Sequence, residues 1–126
     1  MSFFGRPERN AIALQVADTL DSYQATVNAW IVEPGNLILY EKLSSQIELI
    51  KTMSSSALPS ATGALADLLL AHTDLTFIVL KKHLVRLGVG APTGKSDQLT
   101  KATERFQSTV SEMRSMCVRF ATSRRS

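Results

Sequence analysis

The chain has 126 residues and a mass of 13.8 kDa, enough for one domain around a single hydrophobic core. With 44% hydrophobic residues, 20% charged residues, 6 glycines and 4 prolines, it cannot be a collagen-like, disulfide-rich or wholly disordered protein. Residues 1–63 contain four Lys/Arg and six Asp/Glu, a net charge of −2. Residues 64–126 contain ten Lys/Arg and five Asp/Glu, a net charge of +5. This asymmetry suits nucleic acid, an anionic membrane surface or an acidic protein as partner, although a solvated surface produces the same balance.

The single cysteine, Cys117, cannot close a disulfide within the chain, and no charged segment followed by an apolar one opens the sequence. We therefore expect a cytoplasmic protein. The longest apolar region, residues 64–80, approaches the length of a membrane span, but Asp67, His72 and Asp74 interrupt it. We predict a buried helix there and no membrane span.

Breaker residues divide the chain into four segments in which apolar residues recur every three or four positions. This spacing predicts helices at about 7–33, 36–54, 60–87 and 96–120. Pro34 and Gly35 separate the first two helices. Asn36 is the expected N-cap of the second helix, and Gly88 is the expected residue just beyond the end of the third.

Four such segments joined by short turns predict an all-α fold, an up-down-up-down antiparallel four-helix bundle. We expect residues 1–120 to form one domain and residues 121–126 to form a basic, flexible tail. A break within residues 41–47 would instead give an irregular arrangement of three long helices.

The third helix carries two apolar stripes when its residues are placed at 100° intervals around the axis. The broader stripe, which we expect to face the core, consists of Ala66, Leu69, Thr73, Phe77, Leu80, Leu84 and Leu87. The second stripe lies opposite and consists of Leu65, Leu68, Leu75 and Val79. A helix that is apolar on two sides needs two neighbours, either within its own bundle or across a subunit interface. We predict that the second stripe is a protein interface, used by another protein or by a second copy of this chain.

Residues 90–96 resemble a phosphate-binding P-loop of the form GxxxxGK[ST]. The first glycine of that motif falls on Val89, however, and a helix rather than a strand precedes the segment. We interpret the segment as a turn before a helix. Lys95, near that helix N-terminus, remains a candidate anion contact.

His72 occurs in the sequence Ala71-His72-Thr73-Asp74 on the apolar third helix. In length, helix count and this histidine, the chain resembles the histidine phosphotransfer domains of bacterial signalling, which implies phosphorylation of His72. The lysine and small residue that follow the histidine in that family are absent here, and Asp74 would repel a phosphoryl group. We keep phosphotransfer as a third hypothesis and interpret His72 as a partly buried, hydrogen-bonded imidazole.

The basic residues of the fourth helix and tail support an alternative function, a nucleic-acid-binding accessory protein. The candidate phosphate contacts are Lys101, Arg105, Arg119, Arg124 and Arg125. Glu104 and Glu112 interrupt the row, so we expect at most contacts that do not depend on base sequence.

No motif identifies a catalytic residue, a cofactor or a metal site. His72 and His83 lie about 16 Å apart along a helix axis, too far apart to share one ion. Our principal hypothesis is a non-enzymatic helical binding, adaptor or assembly protein that self-associates through the third helix.

Overall fold

The structure is a computed structural model that describes residues 6–88 and 97–122. Its elements are α1 (Arg6–Val32), α2 (Leu37–Ala57), a short 3₁₀ turn (Pro59–Ala61), α3 (Thr62–Arg86) and α4 (Asp97–Thr122). No strand occurs in these two ranges. The predicted all-α four-helix bundle is confirmed, and because α2 runs without a break through residues 41–47, the three-helix alternative is wrong.

The two predicted helix boundaries, at the start of α2 and just beyond the end of α3, are confirmed. Asn36 adopts an extended conformation, and its side chain accepts a hydrogen bond from the backbone N–H of Leu39 (3.2 Å). Gly88 has φ of 83°, the left-handed region that other residues rarely adopt, and its N–H donates to the carbonyl of Val85.

Two helices extend beyond the expected ends. α2 continues to Ala57, and its serines are accommodated because the Ser56 hydroxyl donates back to the carbonyl of Thr52 (3.0 Å). α4 continues to Thr122, where the hydroxyl donates to the carbonyl of Val118 (2.9 Å) and the half-buried Phe120 packs against the core. Residues 121 and 122, which we expected in a flexible tail, are therefore helical. Residues 123–126 lie outside the described part of the chain.

α1 and α4 form the central pair of the bundle. α1 packs extensively against both α2 and α4, and α4 packs extensively against both α1 and α3. α2 and α3 touch each other far less, so the bundle is open between them. The largest fully buried side chains come mainly from the central pair and include Trp30, Tyr23, Leu20, Phe106 and Met113.

A buried hydroxyl on α2 has no hydrogen-bond partner. Ser54 is 1% exposed, and its Oγ meets no donor or acceptor. A buried polar group without a partner loses its hydrogen bonds to water and gains none in the folded chain. We therefore expect Ser54→Ala to raise the free energy of unfolding by about 1 kcal/mol. Urea denaturation measures this change.

Ser55→Ala is the matched control, since Ser55 is exposed in the same turn and gains the same helix propensity. Equal stabilisation by the two substitutions would show that the Ser54 hydroxyl carries no burial cost.

Candidate functional site

The structure reverses the expected roles of the two stripes on α3. Leu65, Leu68, Leu75 and Val79, predicted as an interface, are all buried in the core of the same chain. They are therefore not available on its surface. From the stripe that we expected to face the core, Phe77, Leu84 and Leu87 are exposed, and Leu69 and Leu80 are half-buried.

The residues on the two sides of α3 differ in size. The buried side includes the small residues Ala64 and Ala71, which let a neighbouring helix approach closely. The exposed side presents larger groups such as Phe77. Both sides are apolar, so hydrophobic periodicity alone does not reveal which one meets α4.

The exposed side of α3 is one continuous row, which we call the α3 seam. It consists of Ala66, Leu70, Thr73, Phe77, Leu80, Leu84 and Leu87. The exposed fractions of its large side chains are 58% for Leu70, 64% for Phe77, 46% for Leu84 and 63% for Leu87. The sequence interpretation missed Leu70, because it placed Leu69 in this row.

A second feature, the α3–α4 groove, runs between the second half of α3 and the first half of α4. It has a volume of about 730 Å³. Its apolar lining includes Ala71, Ile78 and Val85 of α3 and Ala102 of α4. The three α3 residues are seven positions apart, so they follow one line about 21 Å long along the helix.

The sides of the groove are strongly basic. The cationic residues that line it are Lys81, Lys82, Arg86, Lys101 and Arg105. Asp74 is the one carboxylate among the described lining residues, and its Oδ2 accepts a hydrogen bond from Arg105 Nη1 (3.1 Å). Lys81 Nζ also lies 5.8 Å from the centre of the Phe77 ring, within reach of a cation–π contact.

The structure brings together only part of the predicted row of phosphate contacts. Lys101 and Arg105 line the groove together with cations of α3, a pairing that no sequence spacing indicates. Arg119 lies about 21 Å further along α4 and donates to the carbonyl of Ser115 (3.4 Å). The remaining candidates, Lys95, Arg124 and Arg125, lie outside the described residues.

His72 is held against the core by Tyr23. A hydrogen bond of 2.5 Å joins Tyr23 Oη and His72 Nδ1, and the Tyr23 ring also meets Phe106 edge-on at 5.5 Å. Burial raises the pKa of Tyr23 and lowers the pKa of His72, so both groups are neutral near pH 7. In the tautomer with the proton on Nε2, His72 Nδ1 accepts a hydrogen bond from the Tyr23 hydroxyl.

Other reactive side chains form no further site among residues 6–88 and 97–122. Burial raises the pKa of the Cys117 thiol to about 11, so this thiol remains protonated at neutral pH. No three His, Cys, Asp or Glu residues of the described ranges are grouped as metal ligands would be.

One stretch of the described chain, Pro59–Arg86, is long and apolar enough to cross a membrane, with a mean hydropathy of 1.5 over its most apolar part. A third of that part is buried inside the bundle. Length and composition alone do not separate a membrane span from the core helix of a globular protein.

No known protein family, no curated protein and no solved structure matches the chain. The α3 seam and the α3–α4 groove are therefore the features from which its function must be argued.

The reversed faces of α3 give a paired stability prediction. Leu68 is 0% exposed, whereas Leu70 is 58% exposed two positions later on the same helix. We expect Leu68→Ala to lower the free energy of unfolding by about 3 kcal/mol and Leu70→Ala by less than about 0.5 kcal/mol. Urea denaturation of dilute protein compares the two variants, and a larger loss of stability in Leu70→Ala than in Leu68→Ala would contradict this assignment of the buried face.

His72 makes stability depend on pH in a specific window. Because its pKa is lower in the folded chain than in the unfolded chain, the unfolded chain binds more protons just below the ordinary histidine value of 6.5. The free energy of unfolding should therefore fall as the pH drops from 7 towards 5. His72→Asn keeps an acceptor for Tyr23 but does not titrate, so it should flatten this fall.

Urea denaturation at several pH values between 5 and 8 measures the effect. His83→Asn is the control and should retain the contribution of His72. If the wild type and His72→Asn lose stability in parallel, burial of a neutral His72 does not contribute.

Proposed function

We propose that the chain is a non-enzymatic helical assembly protein and that two copies associate through the α3 seam. The observation that carries this proposal is a continuous apolar row on a helix with only one closely packed neighbour. Single exposed leucines are ordinary on soluble proteins. A row of four large apolar side chains along one helix favours a partner that covers it.

The spacing within the seam supports a helical partner. Successive seam residues are separated by 4, 3, 4, 3, 4 and 3 positions, an average of 3.5. This repeat keeps the side chains on one face of a helix that winds slightly around another, with each side chain inserted between residues of the partner. A second copy of α3 offers the same row.

Charge favours an antiparallel pair. When Phe77 of one copy packs beside Leu80 of the other, Asp74 lies beside Lys81 of the other copy, and the two-fold axis repeats that ion pair. A parallel pair would place Asp74 beside Leu69 and Lys81 beside Thr76, without an ion pair. The contact between Asp74 and Arg105 within the chain is compatible with the antiparallel pair, because a carboxylate accepts several hydrogen bonds.

The expected association is weak. Covering the exposed part of each large seam side chain contributes about 1 kcal/mol, or about 8 kcal/mol over both copies. This gross gain is comparable with the cost of joining two molecules, about 4–15 kcal/mol. At the low end of this cost about 4 kcal/mol remains, so dimers should become populated as the concentration rises from about 0.1 mM to about 1 mM.

Sedimentation equilibrium over that concentration range tests the proposal. The wild-type mass should rise from one chain towards two, and Phe77→Glu with Leu84→Glu should remain at one chain throughout. Circular dichroism and thermal melting should show that the variant keeps its fold, because both side chains are exposed. A wild-type chain that stays monomeric at about 1 mM would end the proposal.

Leu49→Glu is the matched control, since Leu49 on α2 is 47% exposed but lies outside the seam. It should dimerise like the wild type. Loss of dimers in this variant would place the interface elsewhere.

Introduced cysteines test the orientation. In an antiparallel pair, position 70 of one copy lies near position 87 of the other. An equal mixture of the Leu70→Cys and Leu87→Cys variants should therefore form a disulfide between the two chains on mild oxidation. In a parallel pair, position 70 lies beside position 70 of the other copy, so the Leu70→Cys variant by itself would form the disulfide. The native Cys117 is 1% exposed and should not interfere.

The two alternative functions have less support. Lys101 and Arg105 line a groove with an apolar floor, and Arg119 lies far from them, so within residues 6–88 and 97–122 these predicted phosphate contacts do not form a continuous row. His72 is half-buried and its Nδ1 is bonded to Tyr23, which does not favour a phosphotransfer site.

A further inference from the structure

The α3–α4 groove combines an apolar floor with a concentration of positive charge. Ala71, Ile78 and Val85 form a line along the floor. Cations from both helices flank this line, and the one carboxylate among the described lining residues, Asp74, is already paired with Arg105. Positive charge therefore predominates along the groove, which favours an anionic partner.

We infer that this groove is a second binding site and that its occupant is an acidic amphipathic helix of a partner protein. The floor of the groove covers the apolar face of such a helix. Lys82 and Arg86 of α3 and Lys101 and Arg105 of α4 line the groove, where they can attract the acidic residues that border that face. The groove borders the α3 seam and shares Thr73 and Phe77 with it, but the apolar floor and the cations of the groove are not seam residues.

The dimensions of the groove agree with a helical occupant. The line from Ala71 to Val85 is about 21 Å long, equal to about 14 residues of α-helix. An amphipathic helix of that length presents apolar residues every three or four positions, enough to cover the floor from end to end. A helix lying on α3 and α4 would also give α3 a second neighbour, which the weak contact with α2 does not supply.

Shape and lining argue against other anionic partners. A lipid bilayer is flat and is contacted by protruding side chains, whereas this surface is concave. A nucleic acid strand uses aromatic side chains on which its bases stack, but Phe77 is the one aromatic ring among the described lining residues, and Lys81 lies beside it. An aliphatic floor between cations suits a helix with leucine-like and glutamate side chains.

Binding of a synthetic peptide tests the inference. The probe is a labelled helical peptide of about 15 residues, with leucines spaced by three and four positions and glutamates on both flanks. In fluorescence anisotropy it should bind the full chain, and binding should weaken between about 50 and 200 mM salt because charge contributes. A peptide with lysine at every glutamate position, and one with alanine at every leucine position, should not bind.

Matched variants locate the site. Lys82→Glu with Arg86→Glu should weaken peptide binding by about ten-fold or more, because two attractive charges become repulsive. Lys42→Glu with Lys51→Glu is the control with the same change in net charge on the exposed side of α2, and it should weaken binding by less than about three-fold. All variants should keep the thermal stability of a folded bundle.

Three results would overturn the inference. One is equal weakening by both pairs of substitutions, which would indicate general attraction of charge. The second is tight binding of the alanine peptide, which would show that the apolar floor has no role. The third is stronger binding of single-stranded DNA or of phosphatidylserine vesicles than of the acidic peptide, with the same sensitivity to Lys82→Glu and Arg86→Glu.

Discussion

The packing of α1 against α4 is the constraint on which the other features of this protein depend. Tyr23 of α1 and Phe106 of α4 meet edge-on in the middle of the bundle, and both rings are fully buried. α2 packs on the outer side of α1 and α3 on the outer side of α4, so α2 and α3 hardly meet. α3 consequently keeps an exposed side, and both candidate binding features, the seam and the groove, arise from that exposure.

The rotation of α3 about its own axis decides which residues those features contain. Tyr23 reaches across to His72, and this hydrogen bond joins two neutral groups whose burial favours their uncharged forms. With His72 turned towards α1, Leu68 and Leu75 lie in the core and Phe77 points away from it. The Asp74–Arg105 contact is consistent with the same rotation and bridges α3 and α4 across the groove.

Much of the fold followed from local patterns. The four helices, the Asn36 cap and the Gly88 turn were predictable because periodicity, capping side chains and glycine act within a few residues of the chain. The end of α4 was not, because Thr122 is kept helical by its own hydroxyl bond and by packing of the residues before it. The groove was not predictable either, since it pairs cations that are about 20 positions apart on different helices.

The sequence by itself determined that the chain is helical, that α3 is apolar on two sides and that positive charge gathers in the second half. The tertiary structure alone decided which side of α3 is buried. The periodicity of a sequence shows which residues of a helix are apolar. Which of them are buried depends on the helix that packs against each side and on how closely it packs. α4 packs extensively against α3 on one side, and α2, which packs against α1, touches α3 far less. The residues predicted as an interface are therefore buried in the core, and Phe77, Leu84 and Leu87, which were predicted to face the core, are exposed.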